Sequence, residues 1–189
     1  MTTPIESLRT IFLDRDGVLN RKLPEGCYVR SLDEFKLIDG VAQAIARLNQ
    51  AGVRVLVVSN QRGVSRGLMQ YEDVLRIHAG LQTMLQPFGA HIDGFFFCPH
   101  GKNECNCRKP LPGLFEQAKA EFPEVDAASS LMIGDSLSDI EFGHRIGMRT
   151  IFVTTGGASG KPGSEEAVRL ATAHSDSLRS AVEWLFTAQ

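Results

Sequence analysis

Five short apolar runs, most of them followed by an amphipathic stretch of helical period, constrain the fold of this chain more than anything else in it. TIFL (10–13), VRVLVV (53–58), IDGFFF (92–97), SLMI (130–133) and TIFV (150–153) have the length and composition of strands buried on both faces. Each ends at a polar or Gly-rich loop. VAQAIARLNQ (41–50), YEDVLRIHAGLQTML (71–85), GLFEQAKAEF (113–122) and SDIEFGHRIG (138–147) carry apolar residues at helical spacing. DSLRSAVEWLF (176–186) predicts a last helix after a Gly/Ser-rich loop, GGASGKPGSEEA (156–167). Strands alternating with helices predict βαβ units and a parallel sheet, hence a doubly wound α/β fold. The 189 residues, 43% hydrophobic and 22% charged, suit one such domain over 1–189, with no repeat or linker inside it.

Charge removes several function classes. A net charge of −2 gives no general attraction to nucleic acid or to an anionic membrane, so any basic patch must be local. No apolar stretch approaches the roughly 18 residues that span a bilayer, and MTTPIESLRT lacks the pattern of a secretory signal. A cytoplasmic monomer with neither nucleic-acid nor membrane partners is expected.

In open α/β sheets, ligands bind beyond the carboxyl ends of the strands. The first strand runs into LDRDG, which places Asp14 and Asp16 two residues apart, with side chains pointing roughly the same way if the segment is extended. Two carboxylates so close favour a bound cation or a shared proton. The second strand ends at Ser59, the fourth at IGDSLSD with Asp135 and Asp139, and Lys109 precedes a proline-marked helix start. Carboxylates suit Mg²⁺ together with substrate phosphate, while a hydroxyl and a lysine suit phosphoryl oxygens. A remaining aspartate can be a nucleophile. Asp139 is expected to cap or pair at its helix start.

DxDG after the first strand, Ser-Asn after the second, a lysine before a helix and GDxxxD after the fourth together resemble the haloacid-dehalogenase-like phosphatases. The resemblance spans roughly residues 10 to 155. It implies a Rossmann-like fold, with Asp14 as nucleophile and Asp16 as the acid and base that serves the leaving oxygen and then water. Ser59 and Lys109 would steady the phosphoryl group. Mg²⁺ would be held by Asp14, Asp135 and the backbone carbonyl of Asp16.

CPHGKNECNCRKP (98–110) adds a second device. Cys98, His100, Cys105 and Cys107 form a Cys₃His set typical of a closed, structural Zn²⁺ site, which makes 98–107 a metal-stapled loop. The loop leads directly into Arg108 and Lys109, two cations preorganised by the knot, of which Arg108 can fork onto a second anionic group. Within the family this stretch is similar to two groups, the heptose-bisphosphate phosphatases and the histidinol-phosphate phosphatases. YVRSLDEFKLIDG (28–40) and NQRGVSRG (60–67) look more like the former. The resemblance implies a small phosphorylated sugar as substrate, contacted by a flap including Glu25 and Tyr28, by Asn60, Gln61 and Arg62, and by Arg108 and Ser136. Only 42 residues separate Asp16 from Ser59, too few for a large cap domain.

Two rival functions use similar parts. A histidinol-phosphate phosphatase would take a monophosphate. A phospho-accepting receiver domain needs a slow phosphoaspartate, and Asp16 argues against it. Among the other residues, Cys27 reads as a free thiol, His78, His91, His144 and His174 as surface or satisfied histidines, and Phe95–Phe97 as core. GGASGKPG lacks the first glycine and the Ser/Thr of a P-loop and reads as a plain loop.

Overall fold

The structure is a computed structural model that describes residues 5–155 and 163–187. Six strands form one parallel sheet: β1 (Thr10–Leu13), β2 (Arg54–Asn60), β3 (Gly94–Cys98), β4 (Ser130–Gly134), β5 (Arg149–Val153) and β6 (Ala173–Ser175), in the spatial order β3-β2-β1-β4-β5-β6. The helices are α1 (Val41–Gln50), α2 (Tyr71–Leu85), α3 (Gly113–Glu121), α4 (Leu137–Ile146), α5 (Ser164–Leu170) and α6 (Leu178–Thr187).

The period-2 alternation of the strands sorts the core into two layers. Ile11 and Leu13 of β1, Val55 and Val57 of β2 and Leu131 and Ile133 of β4 pack with Ile45 of α1, Ile77 of α2 and Val182 of α6. Phe12, Leu56, Val58 and Met132 face the other way, against Leu114 of α3 and Phe142 of α4. Both faces of the sheet are therefore covered, which is why the strands read as unbroken apolar runs.

The strand order reverses at β1, which pairs β2 on one side and β4 on the other, Leu13 lying level with Val57 and Ile133. Such a reversal opens a crevice beyond the carboxyl ends of the two central strands. Asp14 leaves β1 and Asp135 leaves β4 at that crevice.

Two elements depart from expectation. The segment expected as a loop over 156–167 becomes helical from Ser164, and its part at 156–162, including most of GGASGKPG, lies outside the described residues. α5 has only seven residues, too few to display a helical period, yet Ala167 is fully buried beside Phe152 and Ile140. β6 is three residues of mixed character and exists because it pairs with Ile151–Val153. Tertiary packing creates both elements, so neither has a strong local signature.

Candidate active site

Lys109 is the hub of the crevice. Its Nζ lies 2.9 Å from Asp14 Oδ1, 2.6 Å from Asp139 Oδ1 and 2.7 Å from the carbonyl oxygen of Val58, which accepts its hydrogen bond. The lysine side chain is 1% exposed. Burial alone would favour its neutral form, but Asp139 and Asp14 outweigh that and hold the ammonium charged. Burial pushes the Asp14 carboxyl up to about 7; Lys109 pulls against this, while Asp139 and Asp135 add to it.

The backbone of Lys109 is also gripped. Its N–H donates to Asn60 Oδ1 at 3.0 Å, and its carbonyl accepts from Asn60 Nδ2 at 3.1 Å. Asn60, expected as a substrate contact, lies on the pocket wall and clamps the chain that carries the lysine.

Asp16 sits in its own network. Its carboxylate accepts from Arg15 Nη2 at 2.9 Å, from Asn20 Nδ2 at 2.9 Å and from Gln61 Nε2 at 2.9 Å. Burial would raise its pKa, but Arg15 and the two amides more than offset that, so Asp16 is held ionised. Gln61 also donates to Ser59 Oγ at 2.6 Å and accepts from Arg15 at 3.1 Å, tying the two strand ends together. Arg15 is fully buried although it stands between two aspartates in the chain.

Asp135 and Asp139 are set by α4. The Ser136 amide and hydroxyl both donate to Asp139 Oδ2, at 3.1 and 2.6 Å, a capping arrangement at the helix start. Asp139 therefore does cap its helix, and it also anchors Lys109. Gly134 allows this, because a Cβ there would lie 2.2 Å from Asp139 Cβ. Asp135 faces Lys22, whose Nζ lies 2.8 and 2.7 Å from its two carboxylate oxygens. Gly17, with φ +99°, brings backbone so near that a Cβ would meet Asp135 Oδ2 at 2.3 Å.

Asp14, Asp135 and Asp139 offer carboxylate oxygens all within 4.8 Å of one another. Three carboxylates facing two lysines, in a cradle that admits no Cβ at position 17, fit a small, hard divalent cation. Each of the three already has a cationic partner: Asp14 and Asp139 share Lys109, and Asp135 holds Lys22. The Asp16 side chain is occupied by Arg15, Asn20 and Gln61.

The crevice opens into a pocket of ≈ 350 Å³. Its walls include Asp14, Asp16, Ser59 and Lys109 from the strand ends, Glu25 and Tyr28 from the flap, and Gln61, Arg108 and Ser136. Arg62 is absent from the described lining, with a half-buried side chain beside the loop. Cys27 is exposed and lines the pocket. Lys22, Arg15 and Asn20 were not foreseen. Arg15 and Asn20 lie inside LDRDGVLN and could be suspected from that clustering of polar residues after a buried strand; Lys22 has no such signal.

The thiol loop closes as expected. Cys98 Sγ lies 3.5 Å from Cys105 Sγ and 3.8 Å from His100 Nδ1, and Cys107 Sγ lies 3.3 Å from Cys105 Sγ and 3.4 Å from His100 Nδ1. The edge of a Zn–S tetrahedron is about 3.8 Å, so these separations suit a four-coordinate Zn²⁺. Burial pushes the Cys98 and Cys107 thiols up, so that their thiolate forms call for a cation. Arg108 leaves the knot with its Nη1 donating to the His100 carbonyl at 3.3 Å. The remaining histidines are exposed except His78, which is buried, stacks on Phe95 at 4.5 Å and has no hydrogen-bond partner for either ring nitrogen among the described residues. His78 is thus neither a surface nor a satisfied histidine.

Comparison with known proteins agrees with this geometry. The HAD-hydrolase-like family model matches residues 106–181. A D-glycero-alpha-D-manno-heptose-1,7-bisphosphate 7-phosphatase of Mycobacterium tuberculosis is 44% identical over 137 residues, covering 72% of each chain. The D-glycero-beta-D-manno-heptose-1,7-bisphosphate 7-phosphatase of Vibrio cholerae is 36% identical over 184 residues, covering 93% of this chain and 95% of that one. The solved D,D-heptose 1,7-bisphosphate phosphatase from B. bronchiseptica, complexed with magnesium and phosphate, superposes with a TM-score of 0.84 at 32% identity, covering 96% of this chain and all of that one. Fold, strand-end residues and relatives converge, and the chain belongs to the haloacid-dehalogenase-like hydrolases, among the heptose-1,7-bisphosphate 7-phosphatases.

Proposed function

We propose that this protein is a Mg²⁺-dependent phosphatase that removes the 7-phosphate of D-glycero-D-manno-heptose 1,7-bisphosphate through a phosphoaspartate on Asp14. The observation that carries this reading is the buried Lys109 bound to both Asp14 and Asp139 at the mouth of a pocket with a second cation, Arg108, on its wall. A bisphosphate gives each cation a phosphate.

The strand-end residues suit phosphoryl transfer, in which positioning and charge neutralisation do most of the work. Lys109 offsets the negative charge that would repel an incoming phosphoryl group from Asp14. Asp14, fixed by that ion pair, attacks phosphorus, and the bond to the leaving oxygen breaks. Ser59 and Lys109 hold the phosphoryl oxygens. Asp16 is ionised in the free site; an anionic phosphoryl group beside it raises its affinity for a proton, which it takes up from solvent as the substrate binds and then gives to the leaving oxygen. Returned to its carboxylate form, it draws a proton from the water that attacks the acyl phosphate, which frees Asp14 and releases phosphate. Mg²⁺, held by Asp14, Asp135 and the Asp16 carbonyl, would supply Lewis-acid charge to a phosphoryl oxygen.

Zn²⁺ in the Cys98, His100, Cys105, Cys107 knot would be structural, since four ligands leave no open position. A monomer is the assembly this reading assigns. Reduced thiols in the knot fit a cytoplasmic site of action. No helix of the described residues is long and apolar enough to cross a membrane.

Phosphate release with Mg²⁺ tests the reading, using both anomers of the heptose bisphosphate and histidinol phosphate at matched concentrations. A strong preference for a heptose bisphosphate is expected. A preference for histidinol phosphate would overturn the substrate, and a phosphoaspartate that accumulates without hydrolysis would overturn the catalytic role of Asp16.

A further inference from the structure

We infer that Lys22 is a tethered cation that competes with Mg²⁺ for Asp135 and must leave that carboxylate before the metal can use it. The inference rests on the Mg²⁺ reading above and deepens it.

The two lysines of the site are held in different ways. Lys109 is 1% exposed, has three partners and is clamped through its backbone by Asn60. Lys22 comes from the flap segment between β1 and α1, its side chain is 33% exposed, and among the described residues it donates to the two oxygens of Asp135. A four-carbon stem rooted in a solvent-facing segment can swing away without unfolding anything.

The Asp135 side chain, by contrast, is fully buried and cannot move to meet a second cation. Lys22 engages both of its oxygens, and Gly17 closes the space beside Oδ2 so tightly that a Cβ would not fit. Mg²⁺ requires a carboxylate oxygen at about 2.0–2.1 Å in near-octahedral geometry. An ammonium already on both oxygens of the same carboxylate would stand within a few ångströms of that ion, and two cations so close repel strongly. Exchange is the arrangement that relieves this. Lys22 also lines the pocket, so the released ammonium faces the volume where an anionic substrate lies.

Titration of Mg²⁺ into the full-length protein without substrate tests the idea, with Lys22→Met compared against the parent and Asp135→Asn as the control for the site. Lys22→Met should bind Mg²⁺ about tenfold more tightly, and Mg²⁺ should raise its melting temperature by more than it raises the parent's. Lys22→Gln serves if the Met variant folds poorly. The Lys22 ammonium resonance should be protected from exchange in the metal-free protein and should lose that protection as Mg²⁺ is added; this separates displacement from a general charge effect. Unchanged or weaker Mg²⁺ binding by both variants, or an ammonium that stays protected with Mg²⁺ bound, would overturn the inference while leaving the metal reading intact. Absence of Asp135-dependent Mg²⁺ binding in every protein would overturn both.

Discussion

The carboxylate centre and the thiol knot are both compact ligand clusters, yet they are assembled in opposite ways. The knot draws four ligands from ten consecutive residues, 98 to 107, and its sulfur and nitrogen atoms close on one another. The centre draws Asp14 and Asp135 from two strand ends and Asp139 from the first turn of α4, sets Lys109 against Asp14 and Asp139, and opens onto a pocket. A local cluster needs only a metal to hold it. A dispersed one needs the whole sheet, and in return it leaves a face for substrate. The two meet at Arg108-Lys109, where the end of the knot becomes the hub of the centre.

Four experiments probe that division. The largest effect belongs to Asp14→Asn, which should lower turnover by at least about 10⁴-fold while zinc content and fold stay intact; residual activity near the parent's would remove Asp14 as nucleophile. Cys105→Ser attacks the other cluster. It should cost the bound zinc, lower the melting temperature by roughly 5–10 °C and reduce activity with it, since the knot delivers Lys109. Full zinc occupancy with unchanged melting would show that the loop stands without its staple.

Asn60→Ala addresses the joint between the regions. Loss of the clamp on the Lys109 backbone should reduce kcat about 10- to 100-fold, more than it affects KM, with zinc still bound. An effect confined to KM would instead make Asn60 a substrate contact. The last experiment concerns pH-dependent stability. Burial pushes His78 down to about 3, with Arg15 adding to the shift, so the folded protein keeps the ring neutral where the unfolded chain would protonate it. The stability from this neutral ring is fully present above the unfolded pKa of about 6.5 and is lost as pH falls from there toward 3, at about 1.4 kcal/mol per pH unit. His78→Leu should flatten that part of the profile in denaturant melts; an unchanged slope would assign acid sensitivity to the carboxylates alone.

Much of the candidate site is visible in the chain because its residues sit where regular elements stop. Asp14, Ser59 and Asp135 each stand at or just past the carboxyl end of a buried run, and the Cys₃His spacing is local. Asn60 and Gln61 were legible as neighbours of Ser59 but not in their structural parts. One clamps Lys109 and the other links Asp16 to Ser59 and Arg15. α5 and β6 escaped because seven and three residues cannot show a period.

The sequence by itself determined the parallel α/β architecture, the strand-end aspartates and the Cys/His cluster, because periodicity and short-range spacing encode them directly. Only the tertiary structure decided the partnerships. Lys22 reaches Asp135 across 113 positions, Asn60 reaches Lys109 across 49 and Arg15 reaches Gln61 across 46. No local pattern spans such separations; they are fixed by the order in which β1, β2 and β4 lie side by side, and by the burial that obliges each charge to find a counterpart there.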